Sequence, residues 1–302
     1  RSKFSEVSPV MLDIYMIRRD FPILSRQVNG KPLVYLDNGA SAQKPQVVVD
    51  AISQAYSQEY ANVHRGLHYL SNLATDNYER VRGIVARFLG AASEDEIVFN
   101  SGATEGINMV AYAWAMPRMQ AGDEIILSIM EHHANIVPWH FLRQAKGVVL
   151  KFVPVSDEGE LDMDAYRALF SPRTRLVSLS HMSNVLGTVN PAAEIVAIAH
   201  AHSVPVLLDG CQSIVHEIVD VQALDVDFYV FSGHKLYGPT GIGALWAKAE
   251  ILDAMPPWEG GGAMIDRVTF AGTTYAPAPQ RFEAGTPAIT EAIAFGAAVD
   301  YV

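Results

Sequence analysis

Two hydrophobic patterns alternate along this chain. Short, nearly continuous apolar runs lie at 96–99, 124–129, 148–155, 175–180, 204–208, 227–231 and 243–247. Strands buried on both faces read this way, because neither side chain direction meets water. Between these runs the apolar spacing lengthens to the helical period, at 45–60, 75–89, 104–115, 133–144, 162–170 and 191–202. Pro45 and Pro191 stand at helix starts, where the first turn has no hydrogen bond to lose. Buried strands separated by helices predict an α/β fold with a mostly parallel sheet covered on both faces. Such sheets bind ligands beyond the carboxyl ends of their strands, so the residues just after each run are where chemistry is expected. The Pro- and Gly-rich stretch 256–262, with the loop that follows to Pro287, is the longest irregular region; long ordered loops are often functional. Positions 289–302 read as a helix with no stop signal. That predicts further chain beyond it and an apolar helix face left uncovered.

Composition narrows the classes. The chain has 302 residues, half of them hydrophobic, enough for one large core and part of a second domain. A formal net charge of -11 argues against a nucleic-acid or anionic-membrane partner. No apolar run approaches the roughly 18 residues of a membrane span. Cys211 is the only cysteine, which excludes an internal disulfide framework and fits a reducing cytoplasm. The first ten to fifteen residues, opening Arg1-Ser2-Lys3-Phe4, have no apolar signal segment and read as an added extension or an unusual leader.

The sharpest chemical signal is Ser232-Gly233-His234-Lys235, directly after the run Phe228-Tyr229-Val230-Phe231. A strand ending this way delivers a lysine to a crevice, where a desolvated amine loses its proton readily and can form a Schiff base. The run 204–208 ends in Asp209. An Asp at one strand end and a Lys at another is the pair that pyridoxal 5'-phosphate (PLP) needs, one for the pyridinium nitrogen and one for the aldehyde. Asp209 could equally cap the next helix. Gln212 could contact the ring's phenolic oxygen. Cys211 reads as a small strand-end residue rather than a nucleophile. Ser101-Gly102-Ala103-Thr104 links a strand to a helix, so backbone N–H groups and the Thr104 hydroxyl could cradle a phosphate, with Ser232 and His234 completing the cradle; a Gly-Thr helix start is also an ordinary cap. His132 and His133 are adjacent, about 100° apart on a helix, and cannot chelate as an i, i+4 pair. An imidazole stacked on a flat heterocycle is the functional reading of His132, and a surface or capping pair the plain one. Arg65, between His64 and His68, could hold a carboxylate or simply be solvated. Arg281 to Thr286 again suits an anion. Phe88, Trp114, Trp139 and Phe141 fall at helix spacings and read as core.

On these residues the chain resembles the PLP-dependent cysteine desulfurases of the sulfur-mobilisation type, also called selenocysteine lyases, in the class V aminotransferase family. The matching runs are 61–66, 130–139, 181–187, 230–243, 256–262 and the segment ending at Pro287, in order, within 18–302. The resemblance implies the aspartate-aminotransferase-like fold (PLP fold type I). An N-terminal segment, 1–34, would precede a PLP-binding large domain, 35–288, and 289–302 would begin a helix leading into a small C-terminal domain that is largely absent. It implies that Lys235 is the Schiff-base lysine, His132 stacks on the ring, Asp209 pairs with the pyridinium and Gln212 contacts the phenolic oxygen. Ala103, Thr104, Ser232 and His234 would hold the phosphate, and Thr286 the phosphate of the neighbouring subunit of a homodimer. Asn184 would lie between cofactor and substrate carboxylate, with His64 and Arg65 on the substrate side. No metal is implied. The activity implied is removal of sulfur from L-cysteine, and by extension selenium from L-selenocysteine. It would leave L-alanine and an enzyme persulfide for a sulfur-acceptor protein of iron–sulfur cluster assembly. The family's catalytic cysteine and carboxylate-binding arginine are expected beyond residue 302. Two other readings stay open: another fold type I PLP enzyme, such as an aminotransferase or a kynureninase-like lyase, and a truncated PLP-binding scaffold without activity.

Overall fold

A computed structural model describes residues 13–302; the expected N-terminal extension falls largely outside the described residues. A helix, Ile14–Asp20, is capped by the Asp13 carboxylate and leads to a two-residue hairpin of β1 (Gln27–Val28) and β2 (Lys31–Pro32). The main sheet comprises β3 (Ile97–Asn100), β4 (Glu124–Ser128), β5 (Val149–Val153), β6 (Thr174–Ser180), β7 (Val206–Asp209), β8 (Phe228–Ser232) and β9 (Gly243–Ala247). Their spatial order is β3-β9-β8-β7-β6-β4-β5. β9 runs antiparallel to both its neighbours, β3 and β8, and every other pairing is parallel. The mostly parallel α/β sheet expected from the apolar runs is the one observed.

β8 shows why its sequence has no polar alternation. Phe228 and Val230 pack into one hydrophobic cluster, Tyr229 and Phe231 into another on the opposite face, and all five of its residues are buried. The register sets the site: Ser180 lies opposite Asp209, Asp209 opposite Val230, and Ser232 opposite Gly243. The carboxyl ends of β6, β7 and β8 therefore open side by side.

Four expectations change. The helix expected from 75 begins earlier, as Tyr69–Phe88, because the His68 imidazole accepts the Ser71 N–H at its start; histidine is not among the usual capping residues. The loop 263–287 is not wholly irregular: it contains an antiparallel hairpin, β10 (Ile265–Thr269) and β11 (Gly272–Tyr275). Nearly all of it is exposed, so no apolar face marks it in the sequence. The closing helix, Ile289–Tyr301, does not leave its apolar face bare. It buries Ile289, Ala292, Phe295, Ala298 and Val299 and packs on helices Gln46–Gln54 and Tyr69–Phe88. Gly296 permits this: a Cβ there would come within 2.7 Å of Val81. Trp139 is fully buried, Phe88 and Trp114 lean on the core, and Phe141 is exposed, against expectation. Among the described residues no helix is long and apolar enough to cross a membrane.

Candidate cofactor site

β8 ends at Ser232 and turns through the 3-10 turn Gly233–Lys235. The turn is tight because two glycines leave no Cβ: one at Gly238 would lie 2.9 Å from the Gly233 carbonyl oxygen and from the Phe295 ring. Lys235 leaves this turn half-buried, and no acidic side chain among the described residues pairs with it. One strand over, Asp209 is 6% exposed. One of its carboxylate oxygens accepts the Cys211 N–H at 3.0 Å, and the Cys211 thiol hydrogen-bonds the same carboxylate. The next residue is a glycine for a packing reason, since a Cβ on Gly210 would fall 2.1 Å from the Tyr229 ring.

His132 follows β4, and its Nδ1 accepts the Ala134 N–H at 3.1 Å. Burial, then the positive charge of Lys235, lowers its pKa from the ordinary histidine value, with Asp209 opposing; the ring is therefore neutral near pH 7. The preceding residue, Glu131, is buried. Its carboxyl accepts the Ser128 hydroxyl at 2.5 Å and the Asn135 amide at 2.7 Å. Burial, reinforced by Asp209, pushes its pKa up to about 7 against those bonds.

The third part is a backbone cradle between β3 and β8. Gly102 has φ +142°, and a Cβ on Gly243 would lie 2.6 Å from the Gly102 Cα, so the chain approaches as closely as two glycines allow. The Ala103 N–H donates to Ser232 Oγ at 2.9 Å. Thr104 stands exposed in the first turn of helix Ala103–Met109, where helix amides lack intrahelical acceptors.

Gln212 and His234 are held from a direction that motif reading does not supply. Gln212 Nε2 donates to the Gly39 carbonyl at 2.8 Å, and His234 Nδ1 meets Ser41 Oγ at 3.2 Å. Lys44 Nζ donates to the carbonyls of Ala42, at 2.6 Å, and His234, at 2.9 Å. Lys44, Gly39, Ser41 and Glu131 are the residues that sequence reasoning missed. Only Glu131, beside His132, carried a signal that could have found it.

His64 and Arg65 line a hollow of about 120 Å³ with Asn62, Gly262 and Pro287, and Thr286, which also borders it, lines a cavity with Asn100, Ser101 and Glu105 at the strand-to-helix turn. The His64 imidazole is engaged with Glu79 at 2.7 Å, on a left-handed backbone, φ 68°. Asn184 is exposed in the turn after β6, which Ser183 shapes by accepting the Val185 and Leu186 N–H groups. Cys211 is buried, and burial followed by the Asp209 charge pushes its thiol pKa well above the ordinary value. It is a poor thiolate source. No cluster of metal-ligating side chains exists among the described residues.

The arrangement presents a buried carboxylate, an amine without an acidic partner one strand away, a neutral imidazole, and a strand-to-helix turn where the Ser101, Gly102 and Ala103 N–H groups donate to Glu105, Asn100 and Ser232 and Thr104 is exposed. These fit the ring nitrogen, aldehyde, ring face and phosphate of PLP. Residues 34–302 match the family model described as Aminotransferase class-V. A cysteine desulfurase of Dickeya dadantii (strain 3937) is 58% identical over 287 residues, which span 95% of this chain and 70% of that protein. The solved cysteine desulfurase CsdA of Escherichia coli, in its S-sulfonic acid form, is 45% identical with a TM-score of 0.88, covering 95% of this chain and 71% of that one. A solved C-DES mutant with glycine covalently linked to its PLP cofactor is 26% identical with a TM-score of 0.81, covering 94% and 73%.

Proposed function

We propose that this chain, which belongs to the class-V aminotransferase family and within it to the cysteine desulfurases, performs its chemistry at the carboxyl ends of β7 and β8, with L-cysteine as substrate. The observation that carries the reading is the juxtaposition of Asp209 and Lys235 on adjacent strand ends, a buried carboxylate and an amine without an acidic partner. PLP, when bound, supplies an electron sink and an aldehyde that takes up amines. Lys235 Nζ is the amine that holds the cofactor and, once released by substrate, the base placed to move the Cα proton. Asp209 holds a proton on the ring nitrogen. His132, neutral and beside both charges, offers its flat face to the ring. Ala103, Thr104, Ser232 and His234 are the phosphate ligands, and Gln212 donates to the phenolic oxygen with the N–H that Gly39 leaves free.

Cys211 does not take the sulfur: it is buried beside Asp209 and holds its proton. That thiolate comes from elsewhere than the described residues, and the resulting persulfide passes to a sulfur-acceptor protein of iron–sulfur cluster assembly. We assign 35–288 as the cofactor-binding domain, with 1–34 before it and 289–302 leading toward a small domain. His64, Arg65 and Asn184 are placed on the substrate side, and Thr286 at the phosphate of the partner subunit of a homodimer. L-selenocysteine fits the same site, and the setting is cytoplasmic. The test is to load the protein with PLP, add cysteine together with dithiothreitol as the external thiol that accepts the sulfur, and measure alanine and sulfide in wild type and Lys235→Ala. Cofactor absorbance and turnover that both survive in Lys235→Ala would overturn the assignment.

A further inference from the structure

We propose that residues 39–44 form a strap that fixes the Lys235 turn, and that Lys44 is the positioning residue that closes it. The inference rests on the reading of Lys235 as the cofactor-holding amine. Four contacts link this short segment to the two residues that flank the site. The Gly39 carbonyl accepts Gln212 Nε2 at 2.8 Å, and Ser41 Oγ meets His234 Nδ1 at 3.2 Å. The Ala42 N–H donates to the His234 carbonyl at 3.1 Å, and Lys44 Nζ donates to that same carbonyl at 2.9 Å. The Tyr35 hydroxyl ties the strap to its own upstream chain by donating to the Ser41 carbonyl at 2.7 Å.

The His234 carbonyl belongs to the peptide plane from which Lys235 departs. That plane is rigid, so fixing its oxygen with two donors fixes the direction in which the Lys235 side chain starts. Lys44 is half-buried, and burial pulls its pKa down to about 8. No acidic side chain among the described residues compensates, because its two bonds both go to carbonyls. A lysine held at that cost is there as a donor: packing alone would be served by an uncharged side chain of the same shape. With its donors directed at backbone, it has no part in the bond-breaking steps.

The test compares Lys44→Met, which keeps the stem and removes the donors, with Lys44→Arg, which restores donors. PLP is added to cofactor-free protein and capture is followed by visible absorbance, while amide exchange at Ala42 is measured in the same samples. Loss of two charge-assisted bonds should slow capture by about tenfold in Lys44→Met and speed exchange at Ala42 by a similar factor. Lys44→Arg should recover most of both. Capture by Lys44→Met at the wild-type rate overturns the strap, as does Lys44→Arg as slow as Lys44→Met with Ala42 exchange unchanged. If Lys44→Met does not fold, wild type alone decides: PLP loading should protect the Ala42 amide together with that of Leu236, and indifference of Ala42 overturns the proposal. Wild type that captures no PLP defeats the cofactor reading itself, a separate result.

Discussion

The two ends of the sheet use charged residues in opposite ways. At the amino ends of the strands each carboxylate is matched. Asp227 accepts the Val206 N–H at 2.7 Å and His200 Nε2 at 2.8 Å, and pairs with Lys248 at 3.1 Å. Glu124 pairs with Lys151 at 2.7 Å and accepts the Ser171 hydroxyl at 2.6 Å. Asp123 meets Arg175 at 3.1 Å. At the carboxyl ends, Asp209 is met by the Cys211 N–H and thiol and by no cation's hydrogen bond, and Lys235 has no acidic partner. Buried charge without a partner costs stability, so a fold keeps it where a ligand completes the set. The same residue types make staples at one end and a reactive site at the other, and the difference lies in how many partners each was left.

This contrast predicts which substitutions damage function and which damage stability. The largest effect is expected at Lys235: Lys235→Ala should lose the visible absorbance of bound cofactor and all turnover above background, with little change in the unfolding midpoint of the cofactor-free protein. Asp209→Asn should retain PLP, because the cradle still binds the phosphate, while turnover falls by about 10²–10³-fold, the scale of losing one preorganised electrostatic partner. Cofactor content and rate measured on the same sample decide this; equal loss of both would make Asp209 a structural residue.

At the opposite end the pattern should invert. Asp227→Asn leaves Lys248 and His200 with Asp225 as their one acidic partner, and denaturant titration should show a loss of about 1–2 kcal/mol, with turnover per folded chain unchanged. Reduced turnover at undiminished stability would erase the distinction between the ends. The smallest effect concerns pH. Glu131 has its pKa raised from 4.5 to about 7 by burial. A raised carboxyl binds its proton more tightly when folded, so its stabilising contribution is full below about 4.5 and is lost as pH rises through about 7. Glu131→Gln should therefore gain on wild type by about 2 kcal/mol between pH 5 and pH 8. Parallel stability curves for the two proteins over that range would show that Glu131 does not ionise there.

The parts of the site legible in the sequence were those whose chemistry lies within a few residues of a strand end. Phe228-Tyr229-Val230-Phe231 had to be a strand buried on both faces, which put Lys235 at its exit, and 204–208 did the same for Asp209. The β10–β11 hairpin escaped because an exposed pair of strands needs no apolar alternation. Phe141 misled because its spacing matched a helix, while the face it occupies turns to solvent. The start at Tyr69 was missed because an imidazole did the capping.

What the sequence determined by itself is therefore local and periodic: which runs are buried on both sides, which residues end them, and which backbone needs glycine. Lys44 shows what it could not determine. Its partner carbonyl lies 190 positions away, and neither hydrophobic period nor local motif encodes a bond between segments so far apart. The gathering of Gly39, Ser41 and Lys44 onto Gln212 and His234, like the placing of His64 and Arg65 in one hollow with Gly262 and Pro287, was decided only when the packed sheet set those segments side by side. Pairing across such distances depends on where whole elements come to rest, and that is a property of the tertiary structure.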